Sequence, residues 1–247
     1  MTDVVIEDID EEDAQPKRGF WAEVRSLAFL LLGVLLVRTL LFQPFTIPSE
    51  SMEPNLLKGD YIIVSKFATG YGEHAAWPFP FPVGDRLMKR GPERGDVVVF
   101  RPRNSSQDFI KRVIGLPGDK VEVRNHRVLV NGIELPLEGQ TGGIQSETVE
   151  GREYAVQHLD GANARPAIPD RAISSVPAGQ YFVLGDNRDR SADSRVEASR
   201  GGAGLVLSKD IVGEAKFVLL SVKDDFSLLK PWTWYRVRGD RWFKAIR

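Results

Sequence analysis

Cysteine is absent from the chain, and its three histidines, His74, His126 and His158, fall in an aromatic loop, a hairpin turn and an irregular polar stretch. The first fact excludes a thiol nucleophile, a thiolate metal site and disulfides. The second leaves no histidine cluster, so neither a triad base nor a catalytic zinc is expected, and no metal or cofactor is assigned. An enzyme built from these residues must work with hydroxyls, carboxylates or lysine amines. Such groups concentrate in four segments: PSESMEP (48–54), RGDVVVF (94–100), FIKRVIGLPGD (109–119) and GDNRDRSADSR (185–195). A serine hydroxyl attacks only when something takes its proton, and an amine takes it only when its pKa falls well below the unperturbed ~10.4. Lys111 sits between Ile110 and Arg112 in an otherwise apolar run, where strand alternation would turn it inward and desolvation would disfavour the ammonium. Read alone, each segment also has an ordinary account: an exposed strand lysine, turn hydroxyls ahead of Pro54, and surface ion pairs among Asp186, Arg188, Asp189, Arg190, Asp193 and Arg195.

The elements that must position these groups are short strands. Residues 61–64, 96–100, 121–123, 127–130 and 180–184 are β-branched or aromatic runs bounded by Gly, Pro, Asn and Asp, which predicts a mostly β domain. Asn125-His126 and Asn131-Gly132 read as successive hairpin turns. Residues 137–177 are polar and irregular and read as part of an inserted lobe. The aromatic loop at 71–82 displays Trp77, Phe79 and Phe81 among prolines, a composition that either tucks under a core or meets a membrane.

Ahead of the strands lies an uncharged run at 26–37, extended beyond Arg38 by residues 39–42. Twelve residues are too few to cross a bilayer, which needs roughly 20, so the span is placed at 20–42 with Arg38 snorkelling toward one end. A cleavable signal peptide needs small residues after the apolar core, and Phe42-Gln43-Pro44-Phe45 offers none. A buried core helix is a less simple account of a helix apolar all round. Lys17, Arg18 and Arg25 before the span, against Arg38 and Lys58 after it, give a slight bias toward a cytoplasmic N-terminus.

The formal net charge of -1 hides a segregation: seven acids and no base in residues 1–15, and six Lys or Arg against Asp240 alone in residues 230–247. The acidic arm (1–19) reads as solvated chain. The basic tail, interleaved with Trp232, Trp234, Tyr235, Trp242 and Phe243, reads either as a terminal strand pair or as a surface resting on anionic headgroups. No matching basic face elsewhere points to nucleic acid.

Taken in order behind an anchor, the four segments resemble the conserved boxes of bacterial type I signal peptidases, from the anchor to about residue 220, with the lobe at about 122–177 carrying little of the likeness. The resemblance implies a Ser/Lys dyad protease domain over 43–229, extracytoplasmic on a single-pass anchor in the bacterial cytoplasmic (inner) membrane. Ser51 then matches the nucleophile and Lys111 the general base. Ser49 matches an oxyanion donor acting with the Ser51 N–H, Ser191 a hydroxyl that bonds the lysine, and Asp193 and Arg195 a supporting ion pair. Ile47, Pro48, Ile62, Val64, Ile110 and Ala192 match the walls of pockets for small residues at the first and third positions before the cut. The implied partners are exported preproteins and membrane lipid, with no oligomeric state indicated. Three features depart from the family's pattern: Glu50 stands where a smaller residue is common, Arg190 replaces Asn, and residues 196–207 lack the usual continuation. Two rivals remain: a membrane-tethered β domain that binds a partner without catalysis, and a self-cleaving Ser/Lys repressor-type protease, which normally lacks an anchor and carries a DNA-binding module.

Overall fold

The computed structural model describes residues 19–72, 90–102, 105–159, 170–227 and 230–246. The acidic arm, His74 and the Trp77, Phe79 and Phe81 loop lie outside the described residues. The chain divides into two compact units, Met1–Leu36 and Val37–Arg247. Helix α1 (Phe20–Leu40) has a mean hydropathy of 1.9 and no buried residue. Its 21 residues span about 30 Å at 1.5 Å per residue, the thickness of a bilayer's hydrocarbon core.

The second unit is built from strands. In chain order they are β1 (Phe42–Thr46), β2 (Asp60–Ser65), β3 (Val97–Phe100), β4 (Phe109–Gly115), β5 (Val121–Arg124), β6 (Arg127–Val130), β7 (Ile133–Glu134) and β8 (Leu137–Thr141). They continue as β9 (Ile144–Val149), β10 (Arg152–Gln157), β11 (Arg171–Ile173), β12 (Gln180–Leu184), β13 (Val206–Leu207), β14 (Ile211–Ser221) and β15 (Lys244–Ala245). The main sheet runs β1-β2-β14-β3-β4-β12-β13, with β15 also paired to β14; β10-β9-β8 and β11-β5-β6-β7 form two smaller sheets. The mostly β architecture behind one apolar helix matches the expectation from sequence.

Period-2 alternation explains why the main sheet is covered on both faces. Val97 and Val99 of β3 pack with Ile62, Val64, Ile110 and Val218, while Val98 and Phe100 pack with Val113, Val183 and Ile211. A third cluster joins Ile114, Phe182 and Leu184 of the main sheet to Val121, Val128, Val149, Tyr154 and Val156 of the smaller ones. The expected hairpins form where Asn125 (φ 48°) and His126 (φ 64°), then Asn131 (φ 55°) and Gly132 (φ 82°), take the left-handed backbone that a two-residue turn of this hand requires.

The described part of the stretch read as irregular forms strands. Strands β8 to β10 are joined at Gly142-Gly143 and Glu150-Gly151, all four at positive φ. Their alternation is masked in sequence because the face that carries the buried Val149, Tyr154 and Val156 also carries Gln145, Glu147 and Arg152.

Candidate active site

The segment after β1 is a turn held by burial on one side and by hydrogen bonds on the other. Ile47 exchanges backbone bonds with Asp60 (2.8 Å) and Gly59 (2.9 Å), and Met52 and Leu56 are inserted in the core. Asn55 Nδ2 donates to Asp186 Oδ2 and to Ala155 O, each at 2.7 Å. These anchors leave Ser49 exposed and Ser51 buried, with their hydroxyl oxygens 3.3 Å apart.

Lys111 and Arg112 lie in the middle of β4, opposite Val98 and Val97 of β3. Because the sheet is covered on both faces, alternation buries both cations: Lys111 is 4% exposed and Arg112 1%. Arg112 is neutralised by Asp186, at 2.8 and 2.7 Å, and its guanidinium lies 3.9 Å from the centre of the Tyr154 ring. The Lys111 amine instead meets two neutral oxygens, Ser51 Oγ at 2.7 Å and Ile110 O at 2.8 Å. Burial depresses its pKa to about 8, against a smaller upward pull from Asp193 and Asp186. That pull is weak because each carboxylate already holds an arginine of its own.

The loop after β12 closes the site. Asp193 takes Arg195 Nε and Nη2 at 2.9 Å each and Gly185 N at 3.0 Å. Burial alone would raise its carboxyl, but the Arg195 ion pair and the backbone donors hold it below the usual range. Ser194 Oγ accepts from Val183 N and donates to Gly204 O, which pins the loop to β12. Gly185 has no room for a side chain, since a Cβ there would stand 2.1 Å from Ser191 Oγ and 2.5 Å from Ser51 O. The loop therefore presses against the Ser51 turn, and Asn187 N donates to Ser51 O at 3.2 Å.

The sequence-derived residues are distributed as follows. Ser51, Lys111, Ser49 and the Asp193–Arg195 pair meet in one place. Ser191 is buried beside them, but among the described residues its hydroxyl has no hydrogen-bond partner, so the expected bond to Lys111 is not formed. Ile47 (2% exposed) and Ile110 (6%) are buried in the core cluster that also holds Ile62 and Val64, and Pro48 and Ala192 are exposed. Ile62 and Val64 are 0% exposed, because β1 and β14 flank β2 and the core covers their face; they present no surface to a substrate. Asp186, Arg188 and Asp189 are buried rather than surface ion pairs, and Arg188 is held by Glu147. The two departures Glu50 and Arg190 bond to each other, Oε2 to Nη1 at 2.5 Å, joining the Ser51 turn to the Ser191 loop.

The absence of a histidine cluster is corrected: His126 Nδ1 lies 3.0 Å from His158 Nδ1, because the β5–β6 turn and the end of β10 meet beside residue 189. Gly185, Asn55 and Glu147 shape the site without a role expected from sequence. For Gly185 a signal existed in its place ahead of a run of charged residues, whereas Glu147 sits in a polar strand with none. A separate groove of 1320 Å³, bordered by Arg90, Glu93, Asp96, Arg152 and Lys216, includes neither Ser51 nor Lys111.

Chemically, a buried amine of lowered pKa in contact with a serine hydroxyl can withdraw its proton, and a second hydroxyl at 3.3 Å can donate to an oxygen bound beside it. The family model described as signal peptidase, peptidase S26, matches residues 21–220. The signal peptidase I of Rickettsia typhi is 37% identical, with 96% of this chain and 98% of that protein covered. That of Rickettsia prowazekii is 38% identical, with 91% and 93% covered. A crystal structure of a signal peptidase I from Enterococcus faecalis is 28% identical and covers 50% of this chain and 95% of its own, with a TM-score of 0.33.

Proposed function

The chain belongs to the signal peptidase, peptidase S26, family, and from that premise we propose that it is a membrane-bound serine endopeptidase that removes signal peptides from exported preproteins by a Ser51–Lys111 dyad. The observation that carries the dyad is the 2.7 Å contact between Lys111 Nζ and Ser51 Oγ at a site excluded from solvent.

The contact serves in either protonation state. As an ammonium, Lys111 donates to Ser51 Oγ; once neutral, it keeps one N–H on Ile110 O and turns its lone pair to the serine hydroxyl. The neutral amine takes the Ser51 proton as Oγ attacks the scissile carbonyl, and the Ser51 N–H and Ser49 hydroxyl receive the oxyanion. The ammonium then protonates the departing amine, and after a water enters, the same lysine activates it to hydrolyse the acyl-enzyme. Asp193 and Arg195 act on this chemistry by holding Gly185, and through it the loop that backs Ser51. Ser191 fills the space behind the pair.

Specificity for small residues before the cut is assigned to Ile47, Pro48, Ile110 and Ala192 as walls, with Ile62 and Val64 supporting them from behind. One surplus methylene in an apolar pocket is worth only about 1–3 kcal/mol, so steric exclusion must add to it. Residues 20–42 anchor the enzyme in the cytoplasmic membrane with residues 1–19 inside and 43–229 outside, where enzyme and signal peptide share one plane at raised effective concentration. In the tail, Arg241 is bound to Asp60, while Trp232, Trp234, Tyr235, Trp242 and Phe243 are all more than half exposed and suit a lipid interface.

The test is preprotein cleavage by the purified full-length chain, its Ser51→Ala variant and its Lys111→Arg variant. Both variants should be inactive though folded. Cleavage by Lys111→Arg would assign the base elsewhere, and unimpaired cleavage by both would leave a tethered binding domain as the better account.

A further inference from the structure

Three segments far apart in sequence bring metal-ligating atoms to one point, outside the Ser51–Lys111 pair. His126 sits in the β5–β6 turn, His158 just past β10, and Asp189 in the loop after β12. His126 Nδ1 is 3.0 Å from His158 Nδ1 and 3.6 Å from Asp189 Oδ1, and the three ligand atoms lie within 4.8 Å of one another. At 3.0 Å the two ring nitrogens form a hydrogen bond when one ring carries its proton on Nδ1, and a cation can take that proton's place between them. A tetrahedral ion with bonds of 2.0–2.1 Å has ligand-to-ligand edges of about 3.3 Å, between the two short distances found.

We propose that His126, His158 and Asp189 form a binding site for one divalent transition-metal cation of the zinc class. The ligand set is two imidazoles and one carboxylate, with a fourth position open to solvent on the side of His126, whose side chain is 58% exposed. The nearby cation, Arg188, is matched by Glu147, and among the described residues Asp189 has no arginine or lysine partner, which leaves its carboxylate available to a cation. Asp189 is also oriented for the task, since its second oxygen accepts from Leu159 N at 2.6 Å.

The consequence is a tether. Backbone bonds from Arg188 N to Gln157 O and from Gln157 N to Asp186 O already join the end of β10 to the catalytic loop. His126 alone comes from a different hairpin, so the bound ion fastens the tip of β5–β6 to the loop that carries Ser191.

The experiment titrates the full-length protein, purified in detergent without a polyhistidine tag, with Co(II) alone and then with Zn(II). Expected are one equivalent of tetrahedral Co(II) bands in the visible spectrum, their displacement by Zn(II), and a rise in Tm of roughly 5 °C at a 100-fold excess over Kd. His126→Ala, at an exposed turn, and Asp189→Asn, which keeps an acceptor for Leu159 N, should each weaken binding by more than about 100-fold. Absence of a saturable one-equivalent site in the unmodified chain, or undiminished binding in both variants, would overturn the proposal.

Discussion

Lys111 and Arg112 are consecutive in β4 and both buried, but only Arg112 has a carboxylate of its own: Asp186 holds it through two hydrogen bonds, whereas the Lys111 amine faces Ser51 Oγ and a carbonyl. One cation is locked in its charged form and the other is released toward neutrality. Two consequences follow for Lys111, and two further tests concern Ser49 and Gly185.

Activity should follow the neutral amine. With Lys111 at about 8, kcat/KM should rise with a single limb between pH 7 and 9 and level off above it, while an exposed lysine would still be almost wholly charged there. Lys111→Arg should abolish the limb together with activity, and Lys111→His should be nearly inactive because its ring is too short to reach Ser51. A profile flat from pH 6 to 10 would remove Lys111 from the role of base.

The same shift predicts a stability effect that needs no substrate. The folded-state pKa lies below the unfolded ~10.4, so the unfolded chain binds more protons between about pH 8 and 10.4, and stability gains with pH across that window. Lys111→Met, which removes the buried charge, should be more stable than the parent by about 2–3 kcal/mol at pH 6–7, with the difference shrinking by pH 10. Urea denaturation at the two pH values reads this directly. An equal difference at both would mean that the charge is not the cause.

Ser49→Ala should lower kcat by about 10²- to 10³-fold while leaving KM and the pH limb in place, since the proposed mechanism uses the hydroxyl where negative charge develops and not for proton removal. A change confined to KM would instead make Ser49 a substrate-binding group.

Gly185→Ala should separate the loop from the Ser51 turn. Its methyl would collide with Ser191 Oγ, Ser191 Cβ and Ser51 O, and a displacement near 1 Å at the nucleophile costs roughly 10²-fold in rate. Overpacking of this kind also costs about 1–3 kcal/mol, so thermal melts must accompany the kinetics. A folded variant with full activity would show that the contact between the two segments does not position Ser51.

Much of this protein is legible in its sequence. The apolar helix, the hairpin turns at Asn125-His126 and Asn131-Gly132, and the strands at 97–100, 127–130 and 180–184 rest on local physics: side-chain period, turn backbone with positive φ, and the length needed to cross lipid. The four chemical segments were recognisable because, taken in order behind the helix, they resemble the boxes of a known family; read alone, each has an ordinary account. Tertiary packing decided the rest. Alternation along β4 put Lys111 and Arg112 on opposite faces without showing that both faces are covered, or that Asp186, 74 residues away, reaches only the arginine. Nor did anything local indicate that Glu50 and Arg190 pair, that Ser191 is buried without its expected bond, or that His126 and His158 touch. A buried group's charge state depends on what desolvates it and which partner it meets, and those partners are set by how distant strands close over one another, not by its neighbours in the chain.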